Sequence, residues 1–182
     1  MIYFTSDTHF GHKNIIRFCD RPFSSVEEMD EALVSNWNNR VKSNDTVYIL
    51  GDMFFRSVNA ESILKRLKGK KRLIKGNHDG SWMTKFDYTK YFVSIDNFLE
   101  TMDGIHSFTL CHYPMLTWKH PNKSFMIHGH IHNCTTDDFW PLIVKKDNVL
   151  NASTDINGYI PVTFDELIEN NRRFKKNYIE MQ

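Results

Sequence analysis

The sequence predicts an α/β sandwich, with two sheets packed face to face and helices outside. Up to residue 75, short apolar runs alternate with stretches whose apolar residues recur every three or four positions, which reads as strand, helix, strand, helix, strand with parallel crossovers. Beyond residue 90 strand-like runs dominate and helical spacing is scarce, so a second, hairpin-rich sheet is expected. Polar residues able to hold a metal collect just past the apolar runs, where open α/β sheets place their ligands.

MIYFTS opens as a strand, with Asp7 just beyond its end. SVEEMDEALVSNWNNRV carries Val26, Met29, Leu33, Trp37 and Val41 at helical spacing, and Ser25 with Glu28 forms a capping-box signature. DTVYIL is the second strand, ending at Gly51 and Asp52. NAESILKRLKG is a helix stopped by Gly69, and RLIK is the third strand, leading into GNHDG. FVSIDNFLETM and IHSFTLCHY flank Asp103-Gly104, a two-residue hairpin signal that predicts an antiparallel pair. SFMIHGH and NVLNAS give two further strands. A last helix starts at Thr163, with Glu166 completing a second capping box.

A chain of 182 residues without internal repeats or Pro/Gly-rich linkers is expected to form one domain over residues 1–182. Lys plus Arg total 23 against 22 Asp plus Glu, so the balance gives no global reason to expect nucleic acid or a membrane as partner. No apolar run approaches the ~20 residues that span a bilayer, and no leader pattern precedes the first strand, so a cytoplasmic location is expected. Cys19, Cys111 and Cys134 are odd in number and widely spaced. They read as reduced thiols, and Cys111 and Cys134 as buried small apolar residues rather than zinc ligands.

Successive segments share one layout, an apolar strand followed by ligand-type residues: Asp7-Thr8-His9, Gly51-Asp52, Gly76-Asn77-His78-Asp79, His112, and Gly129-His130-Ile131-His132. Each alone is more often an ordinary turn or a hydrogen-bonded loop histidine. All of them at strand exits are hard to explain as independent turns. Carboxylate, imidazole and amide oxygen suit divalent Mn, Fe or Zn without a thiolate. Two such ions ~3.5–4 Å apart can clamp a phosphoryl oxygen while a bridging water attacks in line, and a carboxylate is the natural bridge.

The ordered set D-x-H, GD, GNHD, H and GH-x-H, spanning Asp7 to His132, resembles the calcineurin-like metallophosphoesterase superfamily, and the short chain resembles its small single-domain bacterial and phage members. The resemblance implies a two-sheet sandwich of metallophosphoesterase type with flanking helices and no cap domain. It implies Asp7, His9 and His132 on one metal, Asn77, His112 and His130 on the other, and Asp52 bridging both. The ions implied are two divalent cations, Mn²⁺ ahead of Fe, Zn, Ni or Mg. His78 would face the substrate and protonate the leaving oxygen, and Asp79 would orient that imidazole. The implied activity is hydrolysis of phosphate esters by a metal-bridging hydroxide. Phosphodiesters of the nucleotide or cyclic nucleotide class are preferred, because an open site with one arginine lacks a cage for a dianion. The alternatives are a phosphomonoesterase or phosphoprotein phosphatase, and a metal-binding interaction module without turnover.

Arg56, after Asp52 in GDMFFR, is a candidate clamp for the substrate phosphate, against an ordinary surface pairing. His12, in DTHFGHKN, is a further catalytic candidate, against a helix-start histidine. His128 is expected in the core or behind a ligand, and His106 and His120 are expected to be structural or exposed. Asn151 and Asp155 could bond a ligand histidine from behind, though turn chemistry explains them as well. The basic runs at 68–75, 119–123 and 172–176 read first as solvated faces and second as a phosphate-backbone track. Phe54, Phe55, Trp118 and Trp140 could wall a base-stacking site, but most such rings are buried.

Overall fold

A computed structural model describes residues 1–56 and 59–180. Sheet one holds β1 (Ile2–Thr5), β2 (Thr46–Ile49), β3 (Lys70–Ile74) and β4 (Ser94–Asp96), all parallel and in that spatial order. Sheet two holds β5 (Phe98–Met102), β6 (Ser107–Cys111), β7 (Ser124–His128) and β8 (Val149–Asn151). The helices are α1 (Lys13–Phe18), α2 (Val26–Arg40), α3 (Ala60–Arg66), α4 (Gly80–Met83), α5 (Trp140–Ile143) and α6 (Phe164–Glu180), with a 3-10 turn at Tyr88–Tyr91.

Sheet one is buried on both faces, which is why its strands read as continuous apolar runs. Tyr3, Val47, Ile49 and Leu73 pack with Met29, Leu33 and Trp37 of α2 and Ile63 and Leu64 of α3. Phe4, Tyr48, Leu50 and Ile74 alternate to the other side and meet Phe108, Leu110, Ile127 and Leu150 of sheet two. Phe4 sits at the seam, stacked on Tyr48 at 5.6 Å and edge-on to Phe108 at 5.4 Å.

Both capping boxes form. Ser25 Oγ accepts from the Glu28 amide at 3.1 Å, while the Glu28 carboxylate turns back to the Ser24 amide at 2.8 Å rather than to Ser25. At α6 the bonds are reciprocal, Thr163 N to Glu166 Oε2 at 2.8 Å and Glu166 N to Thr163 Oγ1 at 3.5 Å.

The second half departs from the sequence reading in three ways. FVSIDNFLETM is not one strand: it breaks at Asn97, so that β4 extends sheet one beside β3 and β5 opens sheet two beside β6. Continuous hydrophobicity cannot reveal a strand that changes sheets. The hairpin loop is longer than two residues, because Met102 pairs with Ser107 and leaves residues 103–106 as the connection. Asp103 closes it by accepting at Oδ1 from the amides of Ile105 and His106. Among the described strands only β5 and β6 pair antiparallel; β6, β7 and β8 run parallel, the last pair joined through α5.

The C-terminal ends of five strands, β1, β2, β3, β6 and β7, meet on one rim, where ligand atoms of Asp7, Asp52 and His112 lie within 4.8 Å of one another and the His130 amide reaches Asp7. No helix of the described residues is long and apolar enough to cross a membrane.

Candidate metal centre

The chain leaves the strand ends through strained backbone. Asp7, His9, Asp52, His130 and His132 all have φ between 51° and 71°, the left-handed region that residues with a side chain seldom occupy. Close approach accompanies the strain. A Cβ added at Gly129 would lie 2.5 Å from Asp7 Oδ2 and from Ser6 Oγ, and one at Gly76 would strike the Asp52 carboxylate. These two glycines let neighbouring loops press against the carboxylates.

Asp52 Oδ2 lies at the middle of the resulting cluster, 3.5 Å from His112 Nε2, 3.7 Å from His9 Nε2 and 3.9 Å from His78 Nε2. To one side, ligand atoms of Asp7, His9 and His132 fall within 4.8 Å of one another. To the other, Asn77 Oδ1 is 3.0 Å from His112 Nε2 and 3.1 Å from His130 Nδ1. Asp7 also comes within 4.8 Å of Asp52 and His112, so the two sides share a carboxylate floor. The structure thus brings together Asp7, His9, Asp52, Asn77, His112, His130 and His132.

The residues fit a pair of divalent ions. His9 is 1% exposed, yet neither ring nitrogen has a hydrogen-bond partner in the structure. An imidazole buried without partners costs roughly 1–3 kcal/mol, which coordination would offset. Electrostatics agree: burial and the neighbouring His132 push the His9 pKa down to about 2, keeping the ring neutral. Burial opposes charge on His132 and His112 as well, but there carboxylates prevail. Asp7 and Asp155 raise His132 to about 11, and Asp52 and Asp7 raise His112 to about 9. Burial raises Asp7, whereas the hydrogen bonds and charges of His112 and other neighbours overcome burial at Asp52 and hold it near 2. Asp52 is therefore held ionised at the middle of the cluster, where cations would sit.

Outer contacts fix the ligands. His112 Nδ1 donates to the Leu50 carbonyl at 2.7 Å, leaving Nε2 toward the cluster. His132 Nδ1 meets Asp155 Oδ2 at 2.7 Å, and Arg21 grips the same carboxylate through Nε at 2.8 Å and a terminal nitrogen at 3.1 Å. The guanidinium also donates to the carbonyls of Asp7 at 2.7 Å and Thr8 at 2.9 Å. Asp155 therefore stands behind His132, one of the candidate ligands. Asn151 reaches only the backbone carbonyl of His132, at 2.7 Å. Arg21 escaped the sequence reading because RPF after a helix looks like a turn and its partner lies 134 positions away.

The role expected for Asp79 is corrected by its contacts. Its carboxylate is fully buried and accepts from the amides of Asp52 at 2.9 Å, Met53 at 3.0 Å and Gly76 at 2.8 Å, and from the Trp82 indole at 2.9 Å. With its lone pairs so engaged, it staples the β2 and β3 exit loops and does not orient His78. The His78 amide instead donates to Asp52 Oδ1 at 2.8 Å.

His12 caps α1 by position only, since its side chain makes no capping bond; its ring stacks on Phe55 at 3.8 Å and faces a cleft. That cleft, about 690 Å³, is lined by His9, His12, Phe55, Arg56, His78 and His132 among others. Burial and His78 lower the His12 pKa to about 4. Phe54, Trp118 and Trp140 are core residues, so of the proposed stacking rings only Phe55 reaches the cleft. His128 is buried and bonds the Gly129 carbonyl at 2.8 Å. His106 pairs with Asp103 at 3.0 Å, and His120 is exposed. The cysteines are unpaired; Cys19 is buried beside His132 and Asp155, while Cys111 and Cys134 are half-buried rather than core.

Comparison with known proteins places this geometry. A family model described as calcineurin-like phosphoesterase matches residues 1–178. The chain belongs to that family. Its members' chemistry is metal-dependent hydrolysis of phosphoesters, and the Asp and His groups assembled here are of the kind that holds the metals. An uncharacterized protein of Methanocaldococcus jannaschii is 37% identical over 171 residues, covering 92% of this chain and 89% of its own. The gene 66 protein of Mycobacterium phage L5 is 42% identical over 82 residues, 43% of this chain and 39% of that one. A solved structure, a protein of unknown function from Aquifex aeolicus, superposes with a TM-score of 0.72 at 27% identity over 93% of this chain and 98% of that one.

Proposed function

We propose that this metallophosphoesterase hydrolyses phosphodiesters of the nucleotide class, using two divalent ions with Mn²⁺ preferred. The observation that carries the reading is the position of Asp52, whose Oδ2 faces His9 on one side and His112 on the other at 3.7 and 3.5 Å. Asp7, His9 and His132 would hold one ion, Asn77, His112 and His130 the other, and Asp52 both. When bound, such a pair supplies Lewis acidity toward a phosphoryl oxygen and a deprotonated water at neutral pH.

The chain's own groups perform the rest. His78 has a side chain 41% exposed, lines the cleft and stands 3.9 Å from Asp52 Oδ2, which supports its giving a proton to the leaving oxygen. Arg56 lines the same cleft, its guanidinium over the Phe55 ring at 5.4 Å, where it can grip a non-bridging phosphate oxygen. It is the one arginine of that lining, which suits the single charge of a diester better than a dianion. Three unpaired cysteines fit the reducing conditions of the cytoplasm, where we place the protein.

Initial rates on an aryl phosphodiester and an aryl phosphomonoester, each with Mn²⁺, Fe²⁺, Ni²⁺, Mg²⁺ or Zn²⁺, test the proposal. A kcat/KM at least about tenfold higher on the diester is expected, a gap of about 1.4 kcal/mol. Faster monoester hydrolysis would transfer the assignment to a phosphatase, and two bound ions without turnover would make the chain an interaction module.

A further inference from the structure

The cluster stands between two grooves, only one of which the reading above uses. The first lies on the His9, His78 and His132 side. The second, about 480 Å³, lies on the Asn77 and His112 side and is walled by Lys75, Asn97 and Tyr113. A phosphate centred on the cluster has one ester oxygen to send into each. Asn97 is also where the chain leaves sheet one for sheet two, so this groove is the seam between the sheets.

The chemistry of the two grooves matches. The first carries the Phe18 ring, 62% exposed and 6.2 Å from His12. The second carries Tyr113, 47% exposed, which touches His130 edge-on at 4.6 Å and leaves the remaining ring surface open. Exposed rings of this kind stack nucleobases of any sequence. Lys75 adds a charge. It forms no ion pair among the described residues, so its charge is available to a ligand in the groove. An unpaired ammonium one groove away from the scissile phosphate suits the next phosphate of a chain.

We propose that the Lys75, Asn97 and Tyr113 groove binds the nucleotide beyond the scissile phosphate, so that the substrate is a linear single-stranded nucleic acid of two or more nucleotides. A cyclic mononucleotide carries both ester oxygens on one ribose and would leave this groove empty. The inference rests on the phosphodiesterase reading for its chemistry but not for its binding site.

Two measurements test it. In the first, fluorescence anisotropy follows a labelled oligothymidylate binding to His78→Ala with added Mn²⁺ at several salt concentrations. Lys75→Met in that background is expected to weaken binding about tenfold and to lower the magnitude of the salt slope by about 0.7, the value of one single-strand phosphate contact. Tyr113→Leu is expected to weaken binding by a similar factor with the slope unchanged, and Lys145→Met, exposed and outside both the groove and the basic runs, to change neither. In the second, kcat/KM of the wild-type chain on a trinucleotide, which carries a phosphate beyond the scissile one, is expected to exceed that on a cyclic mononucleotide by more than about tenfold, a ratio that Lys75→Met collapses. Affinity and slope unchanged in both groove variants would overturn the proposal, as would faster turnover of the cyclic substrate. Binding that depends on Lys75 in a chain that cleaves no diester would support the groove and sink the phosphodiesterase reading instead.

Discussion

Replacing Arg21 by Met removes a guanidinium whose side chain is wholly buried and leaves Asp155, also wholly buried, with His132 as its remaining ionic partner. Breaking one half of a buried pair costs about 3–5 kcal/mol, and the His132 contact that Asp155 keeps sets the expectation here at the lower end, about 3 kcal/mol. The carbonyls of Asp7 and Thr8 lose donors as well. For a chain of this size each kcal/mol shifts the unfolding midpoint by roughly 2–4 °C, so a fall on the order of 10 °C is expected. Chemical denaturation at pH 7 with a constant m-value is the assay, run on Arg21→Met, Asp155→Asn and the double variant. The double variant is expected to recover part of the loss, since neutralising Asp155 removes a buried charge that has lost one of its two cationic partners. Arg21→Lys is expected to rescue little, because a point charge cannot hold two carboxylate oxygens and two carbonyls together. A loss below about 1 kcal/mol in Arg21→Met, or strict additivity in the double variant, would refute the reasoning.

His78→Ala is expected to lose at least about 100-fold in kcat while keeping two ions per chain by elemental analysis, whereas Asp52→Asn should lose turnover and ions together. Asp79→Asn turns an acceptor for four N–H groups into a partial donor and is expected to destabilise by about 2–5 kcal/mol, with the pH profile of kcat unmoved. A shifted profile at wild-type stability would instead restore Asp79 as the partner of His78. Metal affinity is expected to rise with pH. Without metal, His112 holds its proton to about 9 and His132 to about 11, so both must be deprotonated to ligate, giving up to two log units per pH unit from neutrality to pH 9 and one from there to 11. Calorimetry near pH 7.5 in buffers of different ionisation enthalpy should report on the order of two protons released; none released would contradict the protonation assigned here.

The candidate ligands were legible because each follows an apolar run, and parallel βαβ connection forces the exits of successive strands onto one rim. Local chemistry of that kind survives in a linear reading. What the sequence hid depends on contacts between distant segments. Asp79 reads like the partner of its neighbour His78, yet its acceptors reach back to Asp52 and Met53 across the strand gap. Arg21 carries no motif at all. The split at Asn97 left no trace either, since both halves of FVSIDNFLETM are strands and only the identity of their neighbours differs. Phe54 and Phe55 show the same limit at the scale of one residue: adjacent and identical, one fills the core against Trp82 at 5.0 Å and the other forms the cleft wall.

The left-handed backbone at Asp7, His9, Asp52, His130 and His132 has a consequence for anyone wishing to transplant this centre. Side chains of the right type placed on ordinary strand ends would point elsewhere, because the direction of each Cα–Cβ bond is set by a conformation that common loops avoid. A graft must therefore import the loops with their glycines, and any host must be stable enough to absorb about 1–3 kcal/mol at each of those positions before an ion arrives. Asn or Asp, which tolerate this backbone, are the replacements to try first at these positions, and valine or isoleucine would fail there on shape alone.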